Sequence, residues 1–223
     1  ATGKALLTLI GHTEDVNSVA ITPDGRKAIS GSSDNTCIIW DLTTGESIHI
    51  LKGHTFWITS VAITSNGEKA LTGSSDKTCI LWDLERGEEL KKLEKHTNDI
   101  SSVAITPNGE VGLTGSFDGT CILWDLTTGK TLKTLNGRTR VFHSVSMTPD
   151  GKIAISGSRD KDSFENHCTI WNLTTGQDIQ TLQGHYDSIK AVSITPDGRK
   201  ALSVSWDNSC IVWDLTTGKA SEI

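Results

Sequence analysis

One apolar stretch recurs five times along the chain, and the sequence between its copies follows the same period. Each copy is a run of mostly apolar residues that ends on Trp-Asp or Trp-Asn, and the tryptophans are 42, 42, 47 and 42 residues apart. An unbroken apolar run of this kind favours a strand that is covered on both faces. The copies are residues 36–41, 78–83, 120–125, 167–172 and 209–214.

The residues between these copies predict three further strands in each unit. In the first unit, residues 12–21 alternate between polar and apolar, and residues 27–32 and 47–51 are short β-compatible runs. Turn-forming residues at 22–25, 33–35 and 42–45 separate the runs, so the strands follow one another in antiparallel order. A unit this long cannot bury its apolar faces alone, and tandem copies therefore indicate a solenoid, a propeller or an array.

Charge and cysteine usage narrow the class of protein. The net charge is −6, and no basic stripe of the kind that phosphate recognition needs is visible, so we expect no nucleic-acid partner. No apolar run approaches the ~18 residues of a membrane span, so we expect no membrane partner. The five cysteines occupy one strand position of the repeat, which predicts buried free thiols and a reducing, cytoplasmic location.

The repeated motifs resemble those of the WD-repeat family. The units have Gly-His or a variant near the start, Pro-Asp-Gly or a variant in the middle, Ser-x-Asp next, and Trp-Asp or Trp-Asn at the end, and the resemblance covers residues 2–219 in five copies. It implies an all-β fold, a β-propeller of four-stranded antiparallel blades. The repeats also resemble the near-identical arrays of bacterial WD-repeat proteins, which often follow an effector or nucleotide-binding domain.

The resemblance further implies a hydrogen-bonded chain of His, Ser or Thr, Asp and Trp inside each blade. One linked network satisfies every buried polar group in the set. Because the set recurs at identical spacing, it indicates a structural role, and we expect neither an enzyme nor a cofactor. Carried over by position, the residues are His12, Ser30, Asp34 and Trp40; His54, Thr72, Asp76 and Trp82; His96, Thr114, Asp118 and Trp124; and His185, Ser203, Asp207 and Trp213.

The two ends of the chain are complementary. Residues 2–10 resemble a fourth strand without a preceding blade, and the last unit lacks such a strand. We therefore expect one domain over residues 1–223, with blade units starting near His12, His54, His96, Arg138 and His185, and a ring that the N-terminal strand closes by completing the last blade. Five blades would each turn by about 72°, against about 51° in a ring of seven. A closed monomer is favoured, and a strand-exchanged oligomer remains the alternative.

Some positions differ between the repeats and do not build the blade. By the resemblance they surround the mouth of the central channel, where a rigid ring presents side chains to a partner. Exposed aromatic residues are good contact residues, and the charged residues would select the partner. The predicted partner-binding residues are Asp15, Asn17, Trp57, Thr59, Asp99, Phe117, Val141, His143, Arg159, Lys190 and Trp206.

The fourth unit departs most from the others. Arg138 replaces the His, Asn172 replaces the final Asp, and five extra residues lengthen the loop at 161–167. Asp160, Asp162 and Glu165 have the spacing of a calcium loop only in part, because the Gly that such a loop needs is absent, and we expect no metal site.

These observations predict a non-catalytic scaffold that docks a protein or peptide on the channel face. We expect it to be part of a larger signalling or regulatory protein. The alternative is a propeller that binds a small ligand or carbohydrate through its aromatic residues.

Overall fold

Every regular element in the structure, a computed structural model, is a β-strand. The structure describes residues 3–137, 141–159, 166–217 and 219–220, without the side chains of Arg159 and Ala220. Within these residues the strands form five sheets of four, each antiparallel and each built from consecutive strands. The all-β prediction and the four-stranded antiparallel blades are confirmed.

The strands are named in chain order, four to a blade. Blade 1 contains β1 (Val16–Ile21), β2 (Lys27–Ser32), β3 (Thr36–Asp41) and β4 (Ser47–Lys52). Blade 2 contains β5 (Ile58–Ile63), β6 (Lys69–Ser74), β7 (Thr78–Asp83) and β8 (Glu88–Glu94). Blade 3 contains β9 (Ile100–Ile105), β10 (Val111–Ser116), β11 (Thr120–Asp125) and β12 (Lys130–Asn136). Blade 4 contains β13 (Val141–Met147), β14 (Ile153–Arg159), β15 (Cys168–Asn172) and β16 (Gln177–Leu182). Blade 5 contains β17 (Ile189–Ile194), β18 (Lys200–Ser205), β19 (Cys210–Asp214) and β20 (Lys219–Ala220).

The apolar core lies between the blades. The contact between blades 1 and 2 is typical: Ile29, Cys37 and Leu51 of blade 1 pack against Ile58 and Trp82 of blade 2. Equivalent clusters lie between blades 2 and 3, 3 and 4, and 4 and 5. Each inner blade therefore buries both of its faces, which is why its third strand is apolar without alternation.

Small residues allow the neighbouring blades to approach closely. A Cβ added at Gly73 on β6 would lie 2.6 Å from Cγ2 of Ile100 and 2.8 Å from Cγ1 of Val103, both on blade 3. Contacts this short are not tolerated in a packed interior. Glycine is therefore required where one blade packs on the next.

The predicted closure by the N-terminal strand is not found. The described residues 3–15 form no strand, and the fourth strand of blade 5 is β20, which pairs with the neighbouring strand β19. Pairing across a short turn has a smaller entropic cost than pairing across the whole chain. Leu7 and Leu9 instead lie within 3.5–3.6 Å of a Cβ added at Gly45, against blade 1.

Blades 1 and 5 therefore each keep one face open. Val19 of β1 is 65% exposed, whereas the equivalent valines of the other four blades are only 5–8% exposed. At the other end, Leu202 of β18 is 41% exposed, and Cys210 is exposed while the other four cysteines are buried. The prediction of five buried thiols was thus wrong for Cys210, because no blade covers that face.

We expect Trp82→Ala to destabilise the fold strongly. Trp82 is buried between two blades, and its indole N–H donates to Thr72 Oγ1, so truncation leaves a cavity and removes one hydrogen bond from the buried network. Losses for buried aromatic residues are about 3–5 kcal/mol. Urea unfolding followed by fluorescence measures the difference.

The matched control is Trp57→Ala, because Trp57 is half exposed. A change within about 0.5 kcal/mol is expected for it. Equal losses from the two variants would contradict the assignment of Trp82 to the core.

Candidate functional site

The predicted network of His, hydroxyl, Asp and Trp is present in blade 2. His54 Nδ1 lies 2.9 Å from Asp76 Oδ2, and His54 Nε2 lies 2.8 Å from Thr72 Oγ1. Trp82 Nε1–H donates to the same hydroxyl oxygen at 2.9 Å. The same three contacts recur in blades 1, 3 and 5, around His12, His96 and His185.

This arrangement resembles a hydrolytic triad in its hydrogen bonds, but its hydroxyl group is not accessible to a substrate. In a triad the hydroxyl is a nucleophile that a substrate must reach. Here Thr72 is fully buried, and its oxygen already accepts the indole N–H of Trp82. The geometry assigns the network a structural role, which is to join β6 and β7 to the turn between them and to the segment that precedes β5, through otherwise unsatisfied groups.

A fifth member of the network was missed in the sequence. Thr78 Oγ1–H donates to Asp76 Oδ1 at 2.7 Å, and the backbone N–H of Thr55 donates to Oδ2 at 2.9 Å. A hydroxyl residue stands two positions after the turn Asp in four repeats, and that recurrence was the signal that could have revealed it. The residues are Thr36, Thr78, Thr120 and Ser209.

Blade 4 keeps only part of the network in the described residues. Trp171 Nε1–H donates to Ser156 Oγ at 2.8 Å, as in the other blades. His167 stands where the other repeats have the hydroxyl residue, and its carbonyl accepts Ser158 Oγ–H at 2.9 Å. Arg138 and Asp160, with the predicted calcium-like residues Asp162 and Glu165, lie outside the described residues. In the part that is described, no group of three or more His, Cys, Asp or Glu is placed to hold a metal ion.

The predicted partner-binding positions lie at the same end of each blade. In blade 2 the backbone N–H of Ser75 donates to the carbonyl of Trp57 at 2.9 Å, and in blade 3 Phe117 donates to Asp99 at 2.9 Å. These bonds join the start of the first strand to the end of the second. Blade 1 has the same bond between Ser33 and Asp15, blade 5 has it between Trp206 and Ser188, and Val141 pairs with Arg159 in blade 4. We call this set of strand ends the variable edge.

Side chains at one equivalent position of the repeat connect the edges of neighbouring blades through hydrogen bonds. Asn17 Nδ2–H donates to the carbonyl of Ile58 at 2.9 Å, and Thr59 Oγ1–H donates to the carbonyl of Ile100 at 2.5 Å. Ser101 makes the equivalent bond to the carbonyl of Phe142 at 2.6 Å. The edges of blades 1 to 4 are thus fastened side by side into one surface.

Aromatic and charged side chains are grouped along this surface. Phe56 and Trp57 are stacked with ring centroids 5.2 Å apart, and both are exposed. Phe117 of blade 3 contacts the ring of His143 of blade 4 edge-on at 5.3 Å. In blade 5 the Lys190 ammonium lies 4.1 Å from the centroid of a Trp206 ring, a cation–π contact.

The positions of Asp15 and Lys190 complete the set that the sequence predicted. Both are exposed, Asp99 and Val141 are partly buried, and the side chain of Arg159 is not described. The structure therefore brings the predicted positions to one end of the five blades.

A comparison with protein families agrees with this architecture. The profile described as "WD domain, G-beta repeat" matches almost the whole chain in five segments, which are residues 3–41, 45–83, 87–125, 129–172 and 176–214. The chain belongs to the WD-repeat family. Its blades are those of a WD-repeat β-propeller.

Curated relatives match over a single WD repeat. The small ribosomal subunit protein RACK1 of Dictyostelium discoideum is 51% identical over 41 residues, which cover 18% of this chain and 12% of the relative. The guanine nucleotide-binding protein subunit beta of Zea mays is 46% identical over 41 residues, covering 18% of this chain and 11% of the relative. RACK1y of Oryza sativa subsp. japonica is 48% identical over 40 residues, covering 18% and 12%. The matched segment is thus about an eighth of the length of these relatives.

The turn aspartates of the WD repeats are held in their ionised form. Burial of Asp34 opposes ionisation, but hydrogen bonds from Thr36, the Thr13 backbone and His12 outweigh it and lower its pKa to about 2. Asp76, Asp118 and Asp207 are held by equivalent bonds, and their pKa values also lie below the usual value. Such groups couple folding to pH, because protonation breaks the bonds that they accept.

For one histidine, burial lowers the pKa. Desolvation lowers the pKa of His96 more than the carboxylate of Asp118 raises it, so the neutral imidazole is favoured in the folded blade. The neutral ring can donate from Nδ1 to Asp118 and accept the Thr114 hydroxyl proton at Nε2.

We expect the protein to lose stability in acid, over a pH range that is set by the pKa values of these groups. A carboxyl whose pKa is lower in the folded state stabilises the fold above its unfolded pKa, near 3.9, and loses this contribution as the pH falls through the folded pKa. The free energy of unfolding should therefore fall between about pH 4 and pH 2, the value for Asp34. Because the folded blade favours neutral His96, the free energy of unfolding also falls as the pH drops below the unfolded pKa of this histidine, about 6.5. Urea titrations at a series of pH values measure both.

The matched pair of variants for this prediction is Asp76→Asn and Asp15→Asn. The first removes a carboxylate from the network and should flatten the dependence below pH 4. The second replaces an exposed carboxylate on the variable edge and should leave the slope unchanged. A free energy of unfolding that stays constant from pH 4 to pH 2 would contradict the role of the turn aspartates.

Proposed function

We propose that this propeller is a non-catalytic scaffold that docks a protein or peptide on its variable edge. The observation that carries the proposal is the contrast among its tryptophans. The five repeat tryptophans are 2–4% exposed, whereas Trp57 and Trp206 are 52% exposed and lie on one surface with Phe117. Exposed aromatic residues on a rigid frame supply contact area at a small cost in entropy.

The predicted partner-binding residues divide into two roles. Trp57, Phe117 and Trp206 are the anchors, with Asp15 and Lys190 as exposed charges that select the partner. Asn17 and Thr59 bond to backbone carbonyls of the next blade, so we assign them to holding the edge in place. Asp99, Val141, His143 and Arg159 lie between the anchors along the same edge.

The comparisons support the scaffold at the level of the family. The names of the relatives describe members of assemblies, a protein of the small ribosomal subunit and the beta subunit of a guanine nucleotide-binding protein, and a member of an assembly contacts other chains. We infer that this chain too serves within a larger regulatory or signalling protein. By the resemblance of the repeats, the variable edge surrounds the mouth of the central channel.

Charge and thiol chemistry support the remaining parts of the proposal. With a net charge of −6, the chain has no general attraction for phosphate, so we infer no nucleic-acid partner. No helix in the described part of the chain is long and apolar enough to cross a membrane, and we infer no membrane partner. Burial raises the pKa of the Cys168 thiol to about 12. This free, protonated thiol suits the reducing environment of the cytoplasm.

The stacked pair Phe56 and Trp57 favours one alternative, a carbohydrate or other small ligand. The two exposed rings are stacked with an interplanar angle of 29°, and the outer face of the pair is apolar surface that the face of a sugar ring can cover. The same surface would then be the binding site, and only the chemistry of the ligand would differ.

We expect the combined variant Trp57→Ala, Phe117→Ala and Trp206→Ala to lose peptide binding without losing stability. A random peptide library displayed on phage is selected against the unmodified chain, and affinities of the recovered peptides are measured by calorimetry. Because aromatic anchors dominate interfaces, the variant should weaken binding by at least about tenfold.

The matched control is Leu132→Ala with Ile179→Ala, two exposed apolar residues on the fourth strands of blades 3 and 4. It should bind the selected peptides as the unmodified chain does. Equal weakening by both variants would contradict the variable edge as the docking surface. Selection of no peptide, together with binding on a glycan array that Trp57→Ala abolishes, would favour the carbohydrate alternative.

A further inference from the structure

An aromatic pair lies between acidic positions on the first three blades of the variable edge. The pair is Phe56 and Trp57 of blade 2, and the two residues are 48% and 52% exposed. The equivalent positions are Glu14 and Asp15 on blade 1 and Asn98 and Asp99 on blade 3. The aromatic pair therefore has a carboxylate position on the blade at either side.

Hydrogen bonds between the blades keep these positions side by side. Asn17, two residues after Asp15, donates its amide hydrogen to the carbonyl of Ile58, the residue that follows the aromatic pair. Thr59 donates its hydroxyl hydrogen to the carbonyl of Ile100, the residue that follows the acidic position of blade 3. The three blades thus present their charges and rings in a fixed order.

The carboxylates beside the aromatic pair differ from the turn aspartates in what they bond. A turn aspartate such as Asp76 accepts hydrogen bonds from a histidine, a hydroxyl and the backbone. Glu14 and Asp15 are exposed and Asp99 is partly buried. Among the described residues, no lysine, arginine or histidine forms an ion pair with any of these three. Their charges are therefore available to a partner.

Negative charge predominates in the loops that carry these positions. In blades 1 to 3 the loops at this end are residues 11–15, 33–35, 53–57, 75–77, 95–99 and 117–119. They contain six carboxylates, which belong to Glu14, Asp15, Asp34, Asp76, Asp99 and Asp118, and two lysines, Lys77 and Lys95. A partner of positive charge would be attracted to this surface and selected by it.

The chain itself places a cation on the exposed tryptophan of blade 5. The Lys190 ammonium lies 4.1 Å from the centroid of a Trp206 ring. In blade 2 the residue equivalent to Lys190 is Thr59, whose hydroxyl is used to bond blade 3. In the part of the chain that the structure describes, no lysine or arginine lies over the rings of Phe56 and Trp57. An arginine or lysine from a partner would supply the same contact there, because the face of an aromatic ring attracts cations.

We propose that the segment docked on the variable edge is basic, with an arginine or lysine side chain lying on the outer face of the Phe56 and Trp57 pair. Further basic residues of the segment pair with Glu14 and Asp15 on one side and with Asp99 on the other. The inference rests on the proposed function, which is docking of a protein or peptide, and it names the chemistry of that partner.

A basic segment fits this surface better than a sugar or a single small cation. A neutral sugar would cover the aromatic pair but would leave the carboxylates of the neighbouring blades without an opposite charge. A small ammonium compound would reach one place only, whereas the carboxylates lie on blades 1 and 3 and the rings on blade 2. A chain that carries several positive charges can meet all of these places at once.

A random peptide library displayed on phage and selected against the unmodified chain tests the charge of the partner. The expected result is that the recovered peptides have a net positive charge and are enriched in arginine and lysine over the unselected library. Recovery of neutral or acidic peptides would overturn this inference and leave the docking function standing. Recovery of no peptide would overturn the docking function, and this inference with it.

The carboxylates are tested with the combined variant Glu14→Gln, Asp15→Asn and Asp99→Asn. Calorimetry at low and high salt measures its affinity for the recovered peptides, and urea unfolding checks that the fold is retained. Because salt screens exposed charges, binding to the unmodified chain should weaken as salt rises. The variant should bind at least about tenfold more weakly at low salt and should lose most of the salt dependence. Unchanged affinity would overturn the proposal.

The matched control is the combined variant Glu46→Gln, Glu68→Gln and Glu110→Gln. It removes the same number of charges from blades 1 to 3, but from exposed turns at the opposite end of the strands. It should bind the peptides as the unmodified chain does. Equal weakening by the two variants would show that only the net charge of the chain matters, and it would overturn the assignment to the variable edge.

The contact with the rings is tested by changing the peptide and the chain together. Each arginine or lysine of a recovered peptide is replaced in turn by norleucine, which keeps an unbranched apolar side chain and removes the charge. At one position the replacement should weaken binding to the unmodified chain severalfold more than binding to Trp57→Ala, because the cation then has no indole to cover. Losses that are additive at every position would overturn the contact between the cation and Trp57.

Discussion

The structure depends on the fact that each blade has two apolar faces and cannot bury either alone. A four-stranded sheet of this size exposes its central strands on both sides, and burial of apolar surface is the main favourable contribution to folding. Packing one blade on the next covers one face of each. Blades 2, 3 and 4 are covered on both sides, and the contrast between Val61 and Val19 shows what is lost where a neighbour is missing. Stability of such an array is largely a sum of neighbouring contacts.

A polar network inside the blade accompanies this apolar packing. The indole of Trp82 fills space between two blades, but its N–H needs an acceptor in a region without water. Thr72 provides that acceptor, His54 binds Thr72, and Asp76 binds His54. Each member therefore satisfies the next, ending at a carboxylate near the surface that the turn backbone stabilises. The cost of burying polar groups is offset only when the whole series is present.

The rigid frame leaves the variable edge free to differ between repeats. Backbone bonds between the first and second strands place Trp57 next to Ser75 and Asp99 next to Phe117, whatever the side chains are. The edge can therefore carry aromatic and charged residues without disturbing the core. Bonds such as that from Thr59 to the carbonyl of Ile100 hold neighbouring edges in fixed positions. A surface that is both rigid and variable suits recognition of a partner.

The difference between features within one blade and contacts between blades explains which features could be predicted from the sequence. The amino-acid sequence by itself determined the strands, the turns, the four-residue network and the end of the blade at which Trp57 and Phe117 lie. The strands and turns follow from local spacing within one 42-residue period, whereas the network and the end of the blade follow from the resemblance of the repeated motifs to the WD-repeat family. The hydroxyl of Thr78 was recoverable from the same pattern, although it was overlooked.

Only the tertiary structure decided the roles that depend on contacts between blades. Asn17 was predicted to be a partner-binding residue, and only the structure shows that its amide also bonds to the carbonyl of Ile58, which lies 41 residues away. Cys210 was predicted to be buried like its four equivalents, yet the fifth blade has no neighbour on that side. The closing strand is not found among the described residues, and whether two ends meet depends on the summed angles of four packed contacts. No residue pattern encodes that sum, because it arises from how whole blades fit together.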